Sequence, residues 1–330
     1  MKILRDIARV ELPATCVAVG VFDGVHVGHQ AVLREAVAQA ADLEVAATAL
    51  TFDPHPEQVL RPQQAPGVLT TIPERAALIA RYGIEVLLIA RFDRAFAGQT
   101  PEEFVRGALL ERFGARCVVA GEGFRFGRAG AGDIHVLAEL GRRLGFCATA
   151  VKRVTIDGET VSSTRVRELI SSGDIERATT LLGHYYTIGG PVVRGNQRGR
   201  ALGIPTANLC VEPTKLLPPD GVYAVRARVA QIFNLRTTWQ DTILPHQGAE
   251  AALPAVANIG VRPTFGNSPG DRCVEAHIID SDAQGDLYGR EITLDVVARL
   301  REERAFPSAE ALAEQIRQDM VQAREILSGA

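Results

Sequence analysis

No apolar run in this 330-residue chain approaches the ~20 residues a membrane-crossing helix needs. The opening Met1-Lys-Ile-Leu-Arg-Asp lacks the apolar core of a secretory signal. An excess of basic charge is missing as well: 36 Lys and Arg stand against 39 Asp and Glu, a net −3, which argues against a nucleic-acid binder. Cysteine is scarce. Cys16, Cys117, Cys147, Cys210 and Cys273 are scattered, odd in number and free of any C-x-x-C pair, so neither a disulfide framework nor a cysteine zinc site is indicated. They read as buried thiols of a cytoplasmic protein without nucleic-acid or membrane partners. There is no G-x-x-x-x-G-K-[ST] and no G-x-S-x-G, which removes the P-loop and the strand-borne serine nucleophile.

What is there is long enough for two domains. Apolar content of 46% and charged content of 23% are those of a globular chain. In the first half, β-like runs at 17–21, 45–51, 86–90, 117–120 and 147–151 alternate with helical patterns at about 29–42, 73–82, 101–113 and 133–144. Pro73 and Pro101 stand where first-turn helix prolines stand, and Thr100 is a credible N-cap. That rhythm predicts a doubly wound parallel sheet. From about Ile188 the pattern becomes that of short strands, at 221–229, 255–259, 273–279 and 291–300, with a helix at 308–327. This predicts a compact antiparallel barrel closed by a terminal helix. The fold class is therefore α/β plus β, with domains over 1–183 and 184–330.

The most informative segment is Gly20-Val-Phe-Asp-Gly-Val-His-Val-Gly-His-Gln30. It predicts a buried strand, a glycine turn and a helix whose first turn carries His26 and His29. Free N–H groups at a helix start suit a phosphate, and two imidazoles there suit a polyphosphate leaving group. Alone, the pair reads equally well as a cap plus a packed ring; a zinc pair lacks local partners. Three further segments fall at the same sheet edge: Thr51-Phe-Asp-Pro-His-Pro56, Gly121-Glu-Gly-Phe-Arg-Phe-Gly127 and Val161-Ser-Ser-Thr-Arg-Val-Arg167. They add a rigid proline loop, aromatic faces, and hydroxyls with arginines at a second helix start. With no nucleophile–base pair in view, the set fits nucleotidyl transfer to an existing phosphate, in which alignment and charge neutralisation suffice.

In the second half, Gly190–Leu209 is glycine-rich with Arg194, Arg198 and Arg200, and it ends in Pro205-Thr-Ala-Asn208. A mobile loop accounts for the glycines but not for Thr206 and Asn208. Two residues apart on an extended segment, these face the same way and can reach a hard cation or phosphate oxygens. Glu275, inside the apolar Val274-Glu-Ala-His-Ile278, is either a salt-bridged structural group or a base.

Together these motifs resemble the bacterial bifunctional riboflavin kinase/FAD synthetase family over nearly the whole chain. Gly20–Gln30, Thr51–Pro56, Phe124–Gly127 and Ser162–Arg167 are similar to its adenylyltransferase module. Gly199–Leu209, Gly221–Val225, Ala257–Phe265, Val274–His277 and Asp286–Arg290 are similar to its kinase module. The resemblance implies that riboflavin and ATP give FMN in the C-terminal barrel, and that FMN and ATP give FAD and pyrophosphate in the N-terminal domain. By the same resemblance, His26 and His29 act on the ATP phosphates, with Asp23, Gly28, Ser163, Thr164 and Arg167 on that nucleotide. Pro54, Pro56 and Phe124 would hold the flavin. In the kinase, Gly195, Gly199, Arg200, Thr206 and Asn208 would bind ATP, Thr206 and Asn208 would hold Mg²⁺, and Glu275 would accept the ribityl hydroxyl proton. Two departures stand out: Gly123 replaces the usual Asn or Asp, and the segment 231–253 is longer than the usual connection. The competing readings are a nucleotidyltransferase with another phosphorylated acceptor, which leaves the barrel unexplained, and a non-catalytic flavin carrier.

Overall fold

The computed structural model describes residues 1–5, 7–194, 204–229, 252–261, 272–279 and 287–329. The first compact unit spans Met1–Ser163. Its strands β1 (Lys2–Leu4), β2 (Thr15–Val19), β3 (Ala46–Asp53), β4 (Val86–Arg91), β5 (Ala115–Gly121) and β6 (Cys147–Val151) form one sheet, ordered β1-β4-β3-β2-β5-β6. Every pairing is parallel. All five residues of β2 are buried, as expected of a central strand covered on both faces.

The cover comes from α1 (Val27–Asp42), the short α2 (Pro56–Leu60), α3 (Ile72–Ala80), α4 (Arg94–Ala97), α5 (Pro101–Phe104) and α6 (Ile134–Leu144). Leu33 and Ala36 of α1 and Leu78 and Ile79 of α3 pack with Cys16, Ala18 and Leu87 on one face. Phe104 of α5 and Leu137 and Leu140 of α6 pack with Val17 and Val118 on the other. The expected doubly wound sheet is present. Strand β1, only three residues long, has too short a pattern to read from sequence. Thr100 caps α5 through a reciprocal pair with Glu103. Thr71 does the same for α3 with Glu74, which leaves Ile72 ahead of Pro73 at the helix start. Beyond α5 the helix is not regular to residue 113. It widens over Val105–Leu110, with Glu111 N–H donating to Arg106 O and Phe113 N–H to Ala108 O, each an i→i+5 bond that turns buried Phe113 into the core. A small hairpin follows β6, with β7 (Thr155–Ile156) and β8 (Glu159–Thr160) joined through Asp157 and Gly158, both at positive φ.

The second unit begins at Thr164, ahead of the expected 183/184 boundary. Beyond Ser163, the remainder of α7 (Ser163–Ser172) and all of α8 (Ile175–Leu182) belong to it. The reason is packing: α8 lies on barrel strands, with Leu181 and Leu182 fully buried. The barrel consists of β9 (Tyr186–Val193), β10 (Ala207–Leu209), β11 (Gly221–Val229), β12 (Leu253–Val261), β13 (Arg272–Ile278) and β14 (Glu291–Glu302). It closes in the order β10-β13-β12-β11-β14-β9. All pairings are antiparallel, and closure pairs each of the described strands on both sides. The terminal helix α9 (Ala309–Gly329) packs Ala323 and Leu327 on Val222, Ala224 and Val256. Arg301 of β14 anchors it through Asp319, with Nη2 to Oδ2 at 2.8 Å.

Candidate functional site

Strand β2 lies between β3 and β5, and the chain leaves it towards β3, so the sheet order reverses beside β2. Parallel sheets bind ligands at such a reversal, beyond the C-terminal strand ends. The turn from β2 into α1 occupies that place. It is tightly wound, with Phe22, Gly24 and Val25 all at positive φ. Gly24 suits that conformation; Phe22 and Val25 are held in it at a cost that the surroundings must supply. His26 caps α1, its Nδ1 accepting the His29 N–H at 3.3 Å. The two imidazoles stack with centroids 3.7 Å apart and planes 15° apart, and Phe22 meets His29 edge-on at 5.4 Å. Gly28 permits this fold: a Cβ there would stand 3.2 Å from the His26 ring. The result is a pair of imidazoles held as one unit over the first turn of α1.

Asp23 holds the turn from below. It is 1% exposed; Oδ2 accepts Leu69 N–H at 3.0 Å, while Oδ1 accepts Thr70 N–H at 2.9 Å and the Thr70 hydroxyl at 3.0 Å. Arg75 Nη2 pairs with the same Oδ1 at 3.3 Å. Arg75, itself 2% exposed, also donates to Thr51 Oγ1 and to the carbonyls of Phe52 and Thr70. Asp23, expected on the nucleotide, is thus engaged inside the protein, where it ties the histidine turn to the end of β3 and the start of α3. Sequence reading missed Arg75, Thr70 and Leu69, which lie far along the chain with no motif to mark them.

The neighbouring loops rise at the same edge. Strand β3 runs into Pro54 and Pro56, both half-buried, with His55 capping α2 through a reciprocal pair with Gln58. Strand β5 runs into Phe124, half-buried and stacked on Phe126 at 5.4 Å and 12°. From Phe126 the rings continue through Phe104 and Phe96 to Phe52 at the end of β3, each step 5.8 Å. This phenylalanine chain ties the loop carrying Phe124 to the strand preceding Pro54. Beside Phe124, Gly123 leaves room that the Arg153 guanidinium approaches, 3.2 Å from where a Cβ would stand. Ser163 donates to Asp23 O at 2.8 Å, which ties Ser163 to the histidine turn. Thr164 is exposed and Arg167 half-buried, both in the first half of α7.

In the barrel, register does what sequence spacing could not show. Asn208 of β10 stands opposite Glu275 of β13, and Glu275 stands opposite Asn258 of β12. Directly paired residues project from the same face, so an amide, a carboxylate and an amide form a row across three strands. Val274 and Ala276, the sequence neighbours of Glu275, turn to the other face and are buried. His277, two residues on, lies 2.7 Å through Nδ1 from Pro205 O, so β13 is tied to the Pro-Thr-Ala-Asn segment. Thr206 is half-buried just before β10. Asn258, unforeseen, donates to Glu303 Oε1 at 3.5 Å. Gly195, Gly199 and Arg200, expected on ATP, and most of the 231–253 segment lie outside the described residues.

The FAD synthetase family pattern matches residues 9–165 and the riboflavin kinase pattern residues 182–327. A bifunctional riboflavin kinase/FMN adenylyltransferase of Escherichia coli is 33% identical over 98% of this chain and 97% of its own length. That of Pseudomonas fluorescens is 35% identical over 94% and 93%. A crystal structure from Streptococcus pneumoniae, described as a macrolide-efflux protein, superposes with a TM-score of 0.81 at 28% identity, covering 98% of this chain and 99% of that one. Among the described residues here, no helix is long and apolar enough to cross a membrane. With full-length matches at this identity to curated relatives and both patterns in sequence order, the chain belongs to the bifunctional riboflavin kinase/FMN adenylyltransferase family.

Proposed function

We propose that the chain makes FMN from riboflavin and ATP in its barrel and FAD from FMN and a second ATP at the edge of its parallel sheet. The observation that carries the second step is the stacked His26–His29 pair over the N-terminal turn of α1. An FMN phosphate oxygen attacks the α-phosphorus of ATP; that P–O bond forms as the α–β bridge bond breaks, and pyrophosphate leaves. The attacking oxygen is already anionic, so no base is needed. The work is to align the two phosphates and to neutralise the charge growing on pyrophosphate, for which imidazole N–H donors and a helix start are suited. Ser163, Thr164 and Arg167 serve the same nucleotide, Pro54, Pro56 and Phe124 the flavin, with the phenylalanine chain as a stiff apolar support. Asp23 positions the turn through Arg75.

For the first step, the Asn208–Glu275–Asn258 row places one carboxylate among amides. The ribityl 5′-hydroxyl attacks the γ-phosphorus, its proton passes to Glu275, and ADP leaves. A carboxylate is a weak base for an alcohol, but in a loose phosphoryl-transfer transition state the proton leaves late and positioning dominates. The donor set also fits Mg²⁺. Thr206 and Asn208 offer neutral hard oxygens, and no cluster of three or more acidic, His or Cys residues forms a protein cage among the described residues. That is the pattern for an ion that brings its own waters and ATP phosphates. Bound there, Mg²⁺ would neutralise β- and γ-phosphate charge. The kinase module is read as 184–330 and the adenylyltransferase as 1–183, a division that the family patterns over 9–165 and 182–327 support, with α7 and α8 packing in the unit that holds the barrel. Five free cysteines support a reducing, cytoplasmic setting, and the net charge of −3 speaks against a nucleic-acid partner. The test is His29→Ala in the full chain. FAD formation should be lost while FMN formation persists; a parallel fall in both, with the fold intact, sinks the assignment.

A further inference from the structure

Three of the five cysteines form a row across the parallel sheet. Cys16 of β2 pairs in register with Cys117 of β5, and Cys117 pairs with Cys147 of β6. Cys117 thus has a thiol-bearing neighbour on each side. The Thr149 hydroxyl touches two of the sulfurs, at 3.8 Å from Cys117 Sγ and 3.7 Å from Cys147 Sγ. Of the five thiols expected to be buried, Cys16 and Cys117 are, whereas Cys147 and Cys210 are exposed and Cys273 is half-buried, so the row leads from solvent into the core. It lies towards the N-terminal ends of the strands, away from the histidine turn, and the proposed chemistry makes no use of it. The neighbouring thiols, Cys16 foremost, pull the Cys117 thiol below its usual range. Partial desolvation against the sheet pushes Cys147 up although the residue is exposed, so access rather than thiolate character makes it the first target, and the neighbouring Cys117 pushes Cys16 up.

We propose that Cys117 and Cys147 are a reversible oxidation site, in which peroxide oxidises the exposed Cys147 and Cys117 closes a disulfide onto it. Peroxide transfers one oxygen to the Cys147 sulfur, giving a sulfenic acid and releasing water. The Cys117 sulfur then attacks the Cys147 sulfur; the S–S bond forms, the S–O bond breaks, and the hydroxyl leaves as a second water with the thiol proton. Two thiols and one peroxide thus yield one disulfide and two waters. Neighbouring strands lie about 4.8 Å apart, within the roughly 4.4–6.8 Å between Cα atoms that a disulfide spans. Cys147 is favoured over Cys16 as the partner for two reasons. It is the thiol that peroxide can reach. It also sits on β6, the edge strand, which has a neighbour on one side only and can shift, while β2 is held between β3 and β5.

The test treats the full chain with limiting hydrogen peroxide, blocks remaining thiols with iodoacetamide, and maps a non-reducing digest by mass spectrometry. The expected product is a Cys117–Cys147 crosslinked peptide, two hydrogens lighter than its parts, that dithiothreitol abolishes. Cys147→Ser, at an exposed site, should leave Cys117 unoxidised. Cys117→Ser, its fold checked by circular dichroism, should let Cys147 run on to sulfinic acid. The proposal is overturned if native Cys147 stays reduced or accumulates sulfinic acid without the crosslink. It is equally overturned if the crosslink found joins Cys117 to Cys16, or Cys147 to Cys147 of a second chain.

Discussion

Replacing Asp23 with alanine tests whether the histidine turn is held from inside the protein. The carboxylate accepts from Leu69 N, Thr70 N, Thr70 Oγ1 and Arg75 Nη2. Asp23→Ala therefore strands a guanidinium that is 2% exposed and leaves two backbone N–H groups without their acceptor. Losing one ordinary hydrogen bond costs about 0.5–1.5 kcal/mol, whereas removing one partner of a buried ion pair costs about 3–5 kcal/mol. The second figure applies, because water cannot resolvate Arg75 without opening the unit. Against a domain stability of about 5–15 kcal/mol, that is a large fraction, and for a unit of this size it lowers the melting temperature by about 6–20 °C. Scanning calorimetry should show the first unit's transition falling while the barrel's stays in place. FAD formation should fall with it, even at temperatures where the unit remains folded, because Phe22 and Val25 lose the support for their positive φ. Asp23→Ala with Arg75→Met, which removes the stranded charge, should recover part of the loss. A melting shift under about 2 °C, corresponding to less than about 1 kcal/mol, would refute the reasoning.

Glu275→Gln keeps shape and removes basicity; riboflavin kinase kcat should drop by roughly 10²–10⁴-fold, and an unchanged kcat with a raised KM would reassign Glu275 to binding. Gly123→Asn should be tolerated, since φ there is not positive and the neighbour 3.2 Å from a Cβ is the end of the exposed Arg153 side chain. One added hydrogen bond, ~0.5–1.5 kcal/mol, should tighten FMN by about tenfold at most, and a hundredfold change in calorimetric titration would contradict this. A fragment starting at Thr164 should phosphorylate riboflavin and melt higher than one starting at His184, because the shorter fragment loses α8 and its buried Leu181 and Leu182; equal melting temperatures would show that α8 adds nothing to the barrel.

What was legible in the sequence is what local pattern encodes. Period-two and helical rhythms gave the sheet, the barrel and α9, and the His26–His29 spacing announced a helix start. What was hidden depends on register and on distance along the chain. Glu275 could be singled out as a carboxylate in an apolar strand, but that Asn208 and Asn258 flank it follows only from which residues pair across β10, β13 and β12. Asp23 looked like a ligand because it sits inside the motif; its partner Arg75 lies 52 residues on, where nothing in the local pattern marks it. The phenylalanines were visible singly, whereas their chain from Phe124 to Phe52 needs four separate segments to be placed. The cysteine row is of the same kind: three scattered thiols become neighbours only once parallel strands are aligned. The contact boundary after Ser163 was not legible, because α7 and α8 carry helical patterns that do not say which unit they cover.

The most direct test of the central claim is to incubate the unaltered chain with riboflavin, ATP and Mg²⁺ and to separate the flavins by chromatography over time. FMN should appear first, FAD should follow at the expense of FMN with release of pyrophosphate, and both steps should stop when Mg²⁺ is chelated. Riboflavin that stays unphosphorylated, or FMN that accumulates without FAD, would contradict it.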